Sequence, residues 1–160
     1  MANNSLIRNA VVMGAALLTT LPALADSNSS SFDVTVQVAS TCSISASNLT
    51  FSGITTGTTS NTDATSSITV NCSTGTPYTI ALGNGNNYSG GRRMTNGTTN
   101  INYYLYSDSG RSTQWNTITT QAGTGSGSDQ SYTVYGRIPS GQSVLYTGAY
   151  TDTVIATVTY

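Results

Sequence analysis

SFDVTVQVAS, residues 31–40, is the stretch on which the reading of the whole chain turns. Phe32, Val34, Val36 and Val38 fall on one side of an extended backbone, and Asp33, Thr35 and Gln37 on the other. A period of two with one apolar side is a β-strand that must cover that side against a sheet. After the interruption Ala39-Ser40-Thr41 the same parity resumes through Cys42, Ile44 and Ala46. Residues 32–46 are thus either one long first strand closing its own sheet, or a separate strand followed by the first strand of the domain. Periodicity leaves both open.

Upstream, Ala10–Leu18 is an apolar run and Leu21–Ala25 ends in a small-x-small pattern. Nine apolar residues are too few to cross a bilayer, which needs about 20, so residues 1–25 are expected to be a cleaved signal peptide. Cys42 and Cys72 follow that export signal. An even count in an oxidising compartment predicts one disulfide, closing a loop worth about 3–4 kcal/mol of unfolded-chain entropy. Cys72 shares the inward parity of Ile68 and Val70, so it meets Cys42 across a strand pair or between two sheets.

Downstream, Tyr78, Ile80 and Leu82 continue the alternation, as do INYYLY (101–106), YTVYGRI (132–138) and the last run, Val154, Ala156, Val158 and Tyr160. Leu49 and Phe51 read as a short strand, Trp115–Thr120 as a weak one and Val144–Tyr146 as a brief one. Residues 55–67 read as a polar loop or weak edge, 83–91 as a turn-rich loop and 121–130 as a hairpin or edge loop. Glu and Lys are absent while Thr, Val, Ile and Tyr abound, so helices have little material. Short alternating strands broken by turns predict an all-β sandwich in one domain.

Charged residues make up 7% of the 160-residue chain and the net charge is −1, with all five cations Arg. No basic patch exists for nucleic acid. With no His and no Lys, only six scattered Asp remain as bases, and no nucleophile has a partner, so the chain is not expected to be an enzyme. A metal site or other cofactor lacks ligands: there is no third Cys and no acidic cluster. Arg92 and Arg93 read as a solvated loop pair. Tyr103, Tyr104, Tyr106 and Trp115 offer a sugar-stacking platform as one alternative to a core role.

Taken in order, FDVTVQVASTC, ITVNCSTGTPYTIAL, RRM, INYYLYSD with Trp115, YTVYGRIPSGQ and GAYTDTVIATVTY make a set that resembles the spore coat protein U domain family. That family includes subunits of archaic (Csu-type) chaperone–usher pili. The resemblance implies an Ig-like β-sandwich, incomplete because it lacks its last strand. Residues 26–40 would be the N-terminal donor-strand segment and 41–160 the pilin-type domain. Phe32, Val34, Val36 and Val38 would plug a neighbour's groove; Val154, Ala156, Val158 and Tyr160 would line this molecule's own. It implies a shaft or adaptor subunit, since the chain has no room for a tip adhesin's extra receptor domain, exported to the periplasm and then the cell-surface pilus. It would serve adhesion and biofilm formation. Its partners would be identical or related subunits, a periplasmic chaperone and an outer-membrane usher. A secreted coat or matrix protein folding as a self-complete monomer, and a small carbohydrate-binding module, are the alternatives.

Overall fold

The computed structural model describes residues 25–55, 57, 59–142 and 146–160. The signal-peptide reading, up to residue 24, and the brief strand at Val144–Tyr146, up to residue 145, therefore lie outside the described residues. The chain divides into two units, Met1–Val36 and Gln37–Tyr160. In the first, residues 25–36 carry no strand and every one of them is exposed.

The second unit is built from nine strands, with no helix among the described residues. They are β1 (Cys42–Ala46), β2 (Thr62–Cys72), β3 (Pro77–Leu82), β4 (Arg93–Thr95), β5 (Asn100–Asn102), β6 (Tyr104–Tyr106), β7 (Gln121–Thr124), β8 (Gln130–Ile138) and β9 (Ala156–Thr159). One sheet has the order β1-β2-β8-β6 and the other β7-β3-β9, with β4-β5 as a separate ribbon. Every ladder is antiparallel. The inward parity of each strand supplies one core: Ile68 and Val70 from β2, Tyr78, Ile80 and Leu82 from β3, Val134 and Ile138 from β8, and Leu105 from β6. This is the predicted all-β sandwich.

The two cysteines face each other directly. Cys42 is the cross-strand partner of Cys72, their Cα atoms are 4.1 Å apart, and a disulfide joins them. It pins β1, an edge strand of five residues, to the buried end of β2.

Four readings change. Residues 115–120, read as a weak strand, form none: the segment bends between β6 and β7. Residues 62–67 are not a loop: they are the first half of an eleven-residue strand lying between β1 and β8. Their text is polar because this end of β2 is only partly covered, so Thr, Asp and Ser tolerate their places while Ala64 and Ser66 keep the inner parity. Leu49 and Phe51 form no strand; both are half-buried in a segment that leaves the β2 ladder after Ser47, whose N–H donates to Ser67 O at 2.9 Å. INYYLY is two strands, not one. β5 pairs with β4 and β6 with β8, while the Tyr103 N–H between them donates to Arg92 O at 3.0 Å.

Trp115 anchors the centre. It is fully buried, its indole Nε1 donates to Ile80 O at 2.8 Å, and its backbone N–H donates to Leu105 O at 2.8 Å, which ties the two sheets together.

Candidate functional site

Between the segment 46–55 and the segment 146–156 lies a groove of about 1120 Å³. Its floor is the core itself: Ile68, Leu82, Ile101, Leu105, Val134 and Ile138 all line it. One wall carries Leu49, Phe51 and Ile54, and the other Val154 and Ala156. The strands beside it are sheet edges. Among the described residues β1 pairs only with β2, and β9 pairs only with β3. An edge presents a row of backbone N–H and C=O groups available to another strand.

Gly136 shapes the floor. It occupies an inward position of β8 between Val134 and Ile138, and an added Cβ would stand 2.8 Å from Phe51 Cζ and 2.9 Å from Leu49 Cδ1. The missing side chain leaves the space that the Leu49 and Phe51 side chains fill.

The wall at 152–154 is held by a polar network. Asp152 Oδ2 accepts from the Tyr103 hydroxyl at 2.6 Å, and Oδ1 accepts from the Asn87 N–H and Nδ2, each at 3.1 Å. Tyr103 is buried, and burial, then the bond to the Asp152 carboxylate, drives its hydroxyl well above the ordinary tyrosine range. Nearby, Arg92 corrects the solvated reading: it is 7% exposed. Its guanidinium donates to Gly83 O at 2.9 and 2.7 Å, Leu82 O at 2.9 Å and Trp115 O at 3.0 Å. Burial lowers its pKa, while Tyr103 and Asp152 pull it back up. Five fixed donors suit a set of converging carbonyls, which is an arginine's task. Arg93 is half-exposed and donates to Asn87 O at 3.0 Å.

The expected site residues fall as follows. Val154, Ala156 and Val158 are half-buried and pack against the core, the first two lining the groove, whereas Tyr160 is 58% exposed. Phe32, Val34, Val36 and Val38 are 84–88% exposed, the most apolar surface of the described chain apart from Ile118. The sugar platform comes apart: Tyr103 and Trp115 are core residues, and only Tyr104 and Tyr106 remain towards the outside. Sequence reading missed the 46–55 wall, Asp152 and Arg92. The signal for Asp152 was its parity, which is that of Val154, Ala156 and Val158.

Among the described residues no group of three or more His, Cys, Asp or Glu could hold a metal. Asp63 on β2 is the centre of a small ion-pair cluster on the surface. Arg137 forks onto Asp63 at 2.8 Å through both Nε and Nη2, and Arg111 Nε stands 3.3 Å from the same carboxylate. This is support for an exposed sheet face, of modest worth.

The fold and groove define an all-β sandwich with a core-floored groove between the segments 46–55 and 146–156. The chain matches the Spore Coat Protein U domain over residues 28–157 and belongs to that family. It is also similar to the crystal structure of the CsuC–CsuE chaperone–tip adhesion subunit pre-assembly complex from archaic chaperone–usher Csu pili of Acinetobacter baumannii, with a TM-score of 0.60 and 24% identity. That likeness covers 77% of this chain and 40% of the other, so the chain spans less than half the length of its structural relative. Among curated proteins none matches significantly.

Proposed function

We propose that the protein is a structural subunit, shaft or adaptor, of a chaperone–usher adhesive pilus, and that it polymerises by strand donation. The observation that carries this is the groove, whose floor is the hydrophobic core and whose two walls are segments that run into the edge strands β1 and β9. An Ig sandwich sets strands A, B, E and D against C, F and G. The order β1-β2-β8-β6 corresponds to ABED, and β3 and β9 to C and F. The free side of β9 is the place of G, and no described strand takes it.

Residues 32–38 have the composition of the missing piece. Phe32, Val34, Val36 and Val38 repeat about every 6.6–6.8 Å along one face, matching the pitch of a strand laid into successive pockets. Burying four such side chains is worth at most about 6–12 kcal/mol, on the scale of a whole domain's stability. A subunit with an empty groove is on this reading marginal, and a periplasmic chaperone fills the groove until the next subunit's segment replaces it at an outer-membrane usher. The protein is then exported, assembled at the cell surface, and contributes adhesion and biofilm formation by holding a fibre together, with no catalytic role.

Producing the mature chain in a bacterial periplasm with and without residues 26–38 tests this. Unheated samples on a denaturing gel are expected to show a polymer ladder for the full chain and none for the shortened one. A ladder unchanged by the deletion, or a full chain that is a heat-stable monomer, overturns the proposal; the monomer would instead mark a self-complete coat protein.

A further inference from the structure

Among the described residues, Asp152 is the one charged residue lining the groove. It stands in line with the apolar wall: half-buried and exposed residues alternate unbroken from Asp152 to Thr159, with Asp152, Val154, Ala156 and Val158 turned inward. Tyr150 shares that parity and also packs on the core, so the carboxylate interrupts an apolar row and marks a fixed point along it. An apolar side chain laid against it would strip its water without supplying a donor, whereas a hydroxyl would satisfy it.

We propose that Asp152 sets the register of the incoming strand by accepting a hydrogen bond from Ser40 of the donating copy. This rests on the strand-donation reading above. Every ladder in the sandwich is antiparallel, and an antiparallel strand beside β9 has one alignment that matches chemistry at every inward position. Val38 then faces Val154, Val36 faces Ala156, Val34 faces Val158 and Phe32 faces Tyr160, which places Ser40 opposite Asp152. Phe32 and Tyr160, 85% and 58% exposed, become an aromatic cross-strand pair. A slip by two residues one way sets Val38 on the carboxylate; a slip the other way puts Ser40 on Val154 and Val34, not Phe32, opposite Tyr160.

The acceptor arithmetic agrees. The Tyr103 hydroxyl and two Asn87 groups supply three donors to Asp152. A carboxylate has about four acceptor positions. One position on Oδ2 is left for the incoming hydroxyl, and the three existing bonds hold the carboxylate in place to receive it.

Cysteine trapping in the full mature chain reads the register directly. Val36→Cys with Ala156→Cys is expected to give a covalent ladder on non-reducing gels, and Val36→Cys with Val154→Cys is not. Ser40→Val, a donor-side change that leaves the acceptor intact, is expected to lower the 36–156 ladder about tenfold, because it sets a methyl pair against a desolvated carboxylate. Ser40→Thr is expected to keep the ladder. Adding Asp152→Val to Ser40→Val is expected to restore it and to admit the 36–154 pair. Ser40→Val with an undiminished ladder, or equal trapping at 154 and 156 in the otherwise native chain, overturns the register proposal even if Asp152→Val fails to fold. Absence of a ladder from every pair overturns strand donation itself.

Discussion

Appending residues 31–40 after Tyr160 through a short Gly/Ser linker would place the donated strand beside β9 in the same molecule. The added strand then stands where residues 32–38 of a neighbour are proposed to stand, and its parity becomes measurable. Val36 is 88% exposed in the native chain, so truncating it there changes almost nothing. In the appended copy the same side chain is expected opposite Ala156, turned inward against the groove wall. Val36→Ala in that copy removes two methyl groups; at about 0.8 kcal/mol each for lost burial, plus a cavity contribution, the loss is about 2 kcal/mol. At roughly 2–4 °C per kcal/mol for a chain of this size, the midpoint falls by about 4–8 °C. Thr35→Ala, one residue away on the solvent side, is expected to stay within about 0.5 kcal/mol. Thermal unfolding followed by circular dichroism compares the two directly. Equal midpoints for the two appended variants would refute the reasoning, because a strand in the groove cannot be indifferent to parity.

Arg92→Met leaves the Leu82, Gly83 and Trp115 carbonyls without their donor. A loss of about 3 kcal/mol or more is expected in urea unfolding, with Arg92→Lys recovering only part of it. Gly136→Ala drives a methyl into Phe51 and Leu49 at 2.8–2.9 Å, for an expected cost of about 1–3 kcal/mol by the same assay. Two titrations act at opposite ends of the pH range. Tyr78, buried and hydrogen-bonded to Tyr132, is pushed up to about 12 from an unfolded value near 10. Its contribution is complete below pH ~10 and is lost as pH rises towards 12; tyrosinate absorbance alongside unfolding checks this. The Arg137 fork holds Asp63 below its ordinary value, so its contribution is present above pH ~4 and lost as pH falls below that. The carboxylate is 37% exposed, so the acid effect is small and an Asp63→Asn variant is expected to show a nearly unchanged acid midpoint.

Legibility in the sequence followed burial of one strand face against the core. β3, β8 and the second half of β2 announce themselves because each alternates apolar and polar side chains over a covered core. The first half of β2 did not, because TDATSS carries no apolar face: its place beside β8 is fixed by the ladder, from Thr62 opposite Ile138 to Ser67 opposite Thr133. Leu49 and Phe51 misled for the opposite reason. Their spacing is that of a strand, but what they fill is the space left by Gly136, some 85 residues later in the chain, and no local pattern encodes that. INYYLY reads as one strand because Ile101, Tyr103 and Leu105 share an inward parity, and that parity survives the change of sheet. Arg92 looked solvated because a buried cation is normally matched by an anion. Its partners are backbone carbonyls, which leave no trace in composition. Cys42 and Cys72 were legible from their number and the export signal, while their direct cross-strand pairing needed the register.

The scarcity of charge then acquires a physical meaning. A sandwich that ends in an unpaired edge normally guards it with Lys, an inward charge or a bulge, since a bare edge templates unwanted pairing. β9 is ATVT, with no charge from Ile155 to Tyr160, and the chain contains no Lys to place there. Lysines along β9 would repel a donated strand as well as an accidental one. An edge meant to be completed must stay neutral and depend on something else to keep wrong strands out. On the proposed reading that discrimination comes from a partner held in the groove before assembly, and from a carboxylate in the groove's wall that admits a serine and refuses a valine.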